Sequence, residues 1–235
     1  MTAVDGPVSI VDRAVYLPAP ETLVLADVHL GRAAASAVDA PLAEGTDVTT
    51  RLESLLERFD PVVVVVAGDL LHSFSSLPRG VERSVAELEG AVDAAGADLV
   101  VTPGNHDTML TSVYDGETAE EYHLADDETV VLHGHEEPSL EATRYVVGHD
   151  HPALSVDGRK RPCLLYGPGR YAEADVLVLP AFTRLAPGST VNDMRGRDFL
   201  SPLVTDPDGF YPAIWDERAD ETLWFPPLGE CRRLL

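Results

Sequence analysis

The chain has 235 residues, 45% of them hydrophobic, which is enough for one substantial core and short of what two usually require. Asp and Glu number 40 against 17 Arg and Lys, a net charge of −23, with Lys160 the single lysine; such a surface disfavours broad adhesion to nucleic acid or anionic membranes at low salt. Two cysteines, Cys163 and Cys231, are too few for a disulfide framework, and no apolar run approaches the ~20 residues of a membrane helix.

The segment Met1 to Pro7 has no basic region leading into an apolar run, so no secretory signal is expected and the cytoplasm is the expected compartment. Arg13 to Leu17 and Glu21 to Asp27 read as two short strands about a Pro18-Ala19-Pro20 turn. From Leu42 to Phe59, apolar Val48, Leu52, Leu55, Leu56 and Phe59 recur at helical steps among charged neighbours, and Pro61 ends that helix. Val62 to Ala67 is a continuous apolar run, as expected for a strand covered on both faces. Val81 to Ala95 is a second amphipathic helix, with Val85, Leu88 and Val92 on one face, and Asp98 to Thr102 the next strand. This alternation favours a parallel sheet whose strand C-termini collect the functional loops. Beyond Asp107, Glu121 to Leu124, Thr129 to His133, Arg144 to Gly148, Pro162 to Tyr166 and Asp175 to Leu179 are strand candidates with little helix between them, predicting a second, largely antiparallel sheet packed on the first. Pro180 to Leu235, rich in Pro and Gly, reads as loop with one late strand near Leu223 to Phe225. No repeat or linker divides the chain, so residues 1–235 are expected to form one domain without a capping domain.

Five polar blocks terminate these strands: Asp27-Val28-His29, Gly68-Asp69, Gly104-Asn105-His106-Asp107, His133-Gly134-His135 and Gly148-His149-Asp150-His151. Asp27 and His29 can reach one ion while Val28 turns into the core, although Asp-x-His alone is common by chance. Asp69 follows a buried strand, where a carboxylate needs a cation or serves as a helix N-cap. Asn105 offers a neutral oxygen; His106 can donate a proton, and Asp107 can orient that imidazole and raise its pKa. His149 and His151 stand two apart and can serve different ions. Together the blocks form a carboxylate, amide and imidazole set that can hold two transition-metal ions side by side.

In this order the blocks resemble the signature of the calcineurin-like metallophosphoesterases, over residues 27 to 151. Ala26 to Arg32 and Leu179-Pro180-Ala181-Phe182, followed by Gly188 to Asn192, resemble the branch of predicted bacterial and archaeal phosphoesterases that includes the DNA-ligase-associated enzymes. The near-absence of Lys resembles proteins of extreme halophiles. The family resemblance implies an α/β (α+β) fold, a four-layer αββα sandwich of two packed mixed β-sheets flanked by helices. It further implies that Asp27, His29 and His151 hold one divalent ion, that Asn105, His133 and His149 hold the other, and that Asp69 bridges them. Mn is the first expectation, with Fe, Zn, Co or Ni also admitted by mixed N/O ligation. A hydroxide shared by the ions would attack phosphorus in line, and His106, with Asp107 behind it, would protonate the leaving alkoxide. His135 would lie beside the ligands or meet phosphate, an exchange of roles with His133 being left open. His72 is a polar neighbour or a structural residue, His123 and Arg32 are expected at the surface, and Phe182 or Arg184 could line the cleft. The function implied is that of a metal-dependent phosphodiesterase acting on a phosphate ester, such as nucleic acid or a nucleotide, with no membrane partner. A phosphomonoesterase or nucleotide hydrolase is the alternative; a non-catalytic scaffold is disfavoured because every expected ligand is present.

Overall fold

The computed structural model describes residues 8–35, 41–72 and 76–234. The first sheet is built from β1 (Ser9–Val11), β2 (Ala14–Leu17), β3 (Thr22–Leu25), β4 (Val63–Ala67), β5 (Asp98–Thr102) and β6 (Glu117–Thr118), side by side in that order. From β3 onward the strands are parallel, because α2 (Pro41–Phe59) and α3 (Val81–Ala94) carry the chain back between them; α1 is the single turn Arg32–Ala35. The continuous apolar run of β4 resolves into two faces at the strand period of two. Val64 and Val66 pack under α2 and α3 with Leu52, Val85 and Leu88, whereas Val65 and Ala67 face the second sheet.

The second sheet draws on β7 (Glu121–His123), β8 (Thr129–Leu132) and β9 (Arg144–Val147), then, after β10 (Pro152–Val156) and β11 (Arg159–Pro162), on β12 (Leu164–Tyr171) and β13 (Ala174–Val178). Past β14 (Ser189–Thr190) it is completed by β15 (Tyr211–Asp216) and β16 (Glu221–Trp224), giving the spatial order β16-β15-β12-β13-β9-β8-β7. Val131, Val146, Leu177 and Leu179 meet Val24, Val65 and Val100 of the first sheet, so the two sheets close on one shared apolar layer.

This sheet is mixed, as the family resemblance implies: four of its six pairings are antiparallel, in keeping with the sequence pattern, while β8, β9 and β13 run parallel. Their crossovers carry no long helix, so the sequence lacks the usual sign of a parallel connection. The outer face of the second sheet is covered by β10, β11 and β14, which form a three-stranded sheet of their own, by the coil that supplies Phe199, Leu203 and Phe210, and by the short α4 (Leu228–Leu234). The stretch expected as loop therefore contributes β15, where Pro212 lies opposite Leu165. Proline within a run argues against a strand, which is why the sequence pattern missed it.

Phe182 is fully buried on the helix side of the first sheet and does not line the cleft; the Arg51 guanidinium of α2 sits 4.1 Å from its ring centre. Phe182→Ala should lower unfolding free energy by about 3–5 kcal/mol, read from the denaturant midpoint at fixed salt. Cys163 and Cys231 are free, buried thiols. Among the described residues no helix is long and apolar enough to cross a membrane.

Candidate metal centre

All five polar blocks lie at the carboxyl ends of β3, β4, β5, β8 and β9, on one rim of the sandwich. The backbone there leaves ordinary strand geometry. Asp27, His29, Asp69, His149 and His151 have φ of 53°, 51°, 50°, 70° and 46°, left-handed values that cost an L-residue about 1–2 kcal/mol each. Strain of this kind persists where the surrounding fold enforces it, and it clusters at functional sites. Here the enforcement is a backbone ladder: Asp27 N–H donates to Gly68 O (3.0 Å), His29 N–H to Asp69 O (2.8 Å) and Leu30 N–H to Leu70 O (2.8 Å). Gly148 is pressed against Asp27, since a Cβ there would lie 2.6 Å from Asp27 Oδ2, the atom that accepts the His149 N–H at 3.0 Å.

Two groups of side chains result. In the first, His151 Nε2 lies 3.1 Å from Asp27 Oδ1 and 3.3 Å from His29 Nε2. In the second, His133 Nε2 lies 3.1 Å from Asn105 Oδ1 and 3.0 Å from His149 Nδ1. Asp69 spans them, with Oδ2 3.8 Å from His29 Nε2 and Oδ1 3.6 Å from His133 Nε2. Asp27 Oδ1 is also 3.8 Å from His133 Nδ1, but that nitrogen faces the Ala67 carbonyl at 3.4 Å. A proton on Nδ1 directed at that carbonyl would leave the Nε2 lone pair for an ion; by ligand-atom spacing Asp27, His29 and His151 could hold one ion, and Asp27, Asp69 and His133 also lie close enough to share one. His135 adjoins the second group, its ring centre 5.1 Å from that of His133 and 6.0 Å from that of His149.

The electrostatics of the site favour a cation. Asp27 and Asp69 are 0% and 2% exposed, and Asp27 Oδ1 accepts no hydrogen bond. Burial, and then the Asp27 charge, push Asp69 up to about 8, so the two carboxylates cannot both ionise comfortably without positive charge between them. Burial likewise lowers His29 to about 3 and both His133 and His149 to about 4, which keeps these imidazoles neutral, as ligands must be. Buried carboxylates with an orphaned oxygen, neutral imidazoles and an amide oxygen fit divalent cations.

Several residues play parts other than those expected. The Asp107 carboxylate does not lie behind His106. It accepts the N–H groups of Leu71 (2.8 Å), Gly104 (2.9 Å) and Leu70 (3.2 Å), locking the loops after β4 and β5 together. His106, half-buried at the edge of the site, has its Nε2 3.9 Å from Asp69 Oδ2, and its pKa is lowered by burial first and then by His151. His72, an open case from sequence, has Nδ1 3.4 Å from His29 Nδ1, and its ring stacks on His106 at 5.5 Å and 10°. Arg32 is half-buried, its N–H 3.1 Å from the His29 carbonyl, and its charge adds to the lowering of His72 and His106. Arg184 is paired with Asp47 and Glu217, and His123 is exposed on β7. Asp150, not singled out by sequence reasoning, is buried and accepts the N–H groups of Leu200 (2.7 Å) and Ser201 (3.2 Å), anchoring the C-terminal coil under His149 and His151. Its position between two histidines was the available signal.

The chain aligns with the Pseudomonas putida nuclease MPE at a TM-score of 0.61 and 22% identity, covering 88% of this chain and 91% of that one. The E. coli phosphoesterase YfcE aligns at a TM-score of 0.44 and 15% identity, over 88% of this chain and 98% of that one. No curated protein matches the sequence. The model of the calcineurin-like phosphoesterases matches residues 21–162, which span the strands of all five blocks and every residue of the two groups, and the chain belongs to that family of metal-dependent phosphoric ester hydrolases.

Proposed function

We propose that the chain is a phosphodiesterase that uses two divalent ions, with Mn the first choice for a thiolate-free N/O set. Asp27, His29 and His151 would hold one ion, Asn105, His133 and His149 the other, and Asp69 would contact both. The observation that carries this reading is Asp69 itself, a buried carboxylate with one oxygen toward each imidazole group. The bound pair supplies positive charge to the phosphate oxygens and activates water as the nucleophile.

The chain's own residues do the rest. His106 holds a proton at Nε2 on the half-buried edge of the site and delivers it to the leaving oxygen; an anionic phosphate ester beside it raises the imidazole pKa toward the protonated form. His72, stacked on His106 and against His29, fixes both rings. Asp107 keeps the two loops that carry Asp69 and His106 in register. The diester preference is supported by the open setting of Asn105 and His106, and by the likeness in fold to a nuclease, whose substrates are phosphodiesters.

With Mn, bis-p-nitrophenyl phosphate should be hydrolysed with a higher kcat/KM than p-nitrophenyl phosphate, and the reverse order would overturn the diester assignment. His106→Ala should lose about 100-fold or more on a dinucleotide with an alkoxide leaving group, and far less on p-nitrophenyl esters, whose leaving group needs little protonation. Equal losses on both would remove His106 as proton donor.

A further inference from the structure

A cavity of about 800 Å³ lies on the same rim as the metal centre, between the β1–β2 turn, the β10–β11 hairpin and the β15–β16 turn. The strand registers fix that location. Val15 pairs with Val24, so the turn at Asp12 and Arg13 lies past the end of the sheet that carries Asp27. Leu165 pairs with Val178 and Leu164 with Ala213, which brings Pro162 and Asp216 to the corresponding end of the second sheet. The coil of residues 181–183 lies between the cavity and the strand that carries Asp27: Phe182 N–H donates to Ala26 O at 2.7 Å, while Arg13 Nη1, on the cavity side, donates to Ala181 O at 3.0 Å and to Thr183 O.

The charge of this cavity runs against that of the molecule. Arg13, Arg159, Lys160, Arg161 and Arg218 all line it, and none has a carboxylate partner among the described residues. Outside it, only Arg32 and Arg79 are in that condition among described basic side chains. Of the four acids that also line it, Asp12 is neutralised by Arg51 at 2.6 Å, Glu217 by Arg184 at 3.2 Å, Asp216 accepts the Arg218 N–H at 3.0 Å within its turn, and Asp157 has no basic partner among the described residues, so the unpaired cations still outnumber the unpaired acids. In a chain with 40 acidic and 17 basic residues, this collects the uncompensated cations in one place. The distant acidic surface is screened beyond about 8 Å at physiological salt, so the local cations set the field inside the cavity. Arg159 and Arg161, two apart on β11, share one face of the hairpin, and Trp215 adds an aromatic wall. Cations spaced along a groove with an aromatic side chain are the features that track a single nucleic-acid strand.

We propose that this groove binds the sugar-phosphate backbone of a single-stranded nucleic acid whose phosphodiester lies at the metal centre. The inference rests on the phosphodiesterase reading for the position of the reacting phosphate, and on the groove alone for the strand.

The test is fluorescence anisotropy of a labelled oligothymidylate in EDTA, where no turnover occurs, at the lowest salt at which circular dichroism shows the protein folded. The wild type should bind, Arg159→Glu/Arg161→Glu should weaken binding by about tenfold or more, and Arg159→Lys/Arg161→Lys should retain most of it. Loss of two phosphate contacts should also flatten the slope of log K against log salt by about 1.4. With Mn, the charge-reversal variant should lose at least tenfold more kcat/KM on the oligonucleotide than on bis-p-nitrophenyl phosphate. No binding by the wild type, undiminished binding by the folded charge-reversal variant, or equal competition by thymidine monophosphate and the oligonucleotide would overturn the groove. Failure of the wild type to hydrolyse any diester, with Arg-dependent strand binding intact, would instead overturn the phosphodiesterase reading and leave the groove standing.

Discussion

Asp69→Asn is expected to abolish tight binding of the metal pair and, with it, ester hydrolysis. The substitution keeps the volume of the side chain and an oxygen that can accept the His106 N–H, which reaches Asp69 Oδ1 at 2.9 Å. What it removes is the negative charge between the His29 and His133 groups, among the described residues the only carboxylate with an oxygen toward an Nε2 of each. Losing a residue that merely orients a ligand costs 10- to 100-fold in metal affinity, so losing this contact should cost more than about 100-fold. Elemental analysis after dialysis should find the variant depleted and the wild type loaded with two ions. Melting curves should show a complementary pattern. In EDTA the variant should melt at or above the wild-type temperature, because a buried charge crowded by Asp27 has gone; with Mn only the wild type should rise. Two retained ions in Asp69→Asn would overturn the bridging role.

The candidate ligands are legible in the sequence because each block follows an apolar strand and is set off by glycine or a second polar residue, a pattern that survives without knowledge of pairing. The same local logic failed where the partner is distant in sequence. Asp107 sits beside His106 in the chain and was paired with it for that reason. In the fold the N–H groups of Leu70 and Leu71 come from another loop and take its oxygens. His72 could be placed near Asp69 by sequence, but its contact with His29 depends on the pairing of β3 with β4 that aligns Leu30 with Leu71. The β10–β11 hairpin carries an Asp157-Gly158 turn, a standard hairpin signal, yet Arg159-Lys160-Arg161 has no apolar alternation to mark it as a strand. The groove cations were hidden for the same reason: they come from separate turns whose only common property is lying at one end of two sheets.

Gly68→Ala and Gly96→Ala separate the conformational role of a glycine from its role in making room. Both positions are left-handed, φ 78° and 76°, so alanine should strain the two backbones alike, by about 1–2 kcal/mol. Their surroundings differ completely. A Cβ at Gly96 meets nothing within 4 Å, whereas one at Gly68 would lie 2.0 Å from His133 Nδ1 and 2.3 Å from its Cγ. That ring is 1% exposed and braced by the Ala67 carbonyl, Asn105 and His149, so it cannot swing aside and keep its Nε2 in the second group. Gly96→Ala should therefore unfold at somewhat lower denaturant with both ions and full turnover retained. Gly68→Ala should lose at least one ion, and turnover should fall by about 100-fold or more, since displacement of a reacting geometry by 1 Å already costs that much. Equal effects of the two substitutions on metal content would mean that Gly68 serves only the turn, and that the close packing of β4 against His133 is not what holds the second group in place.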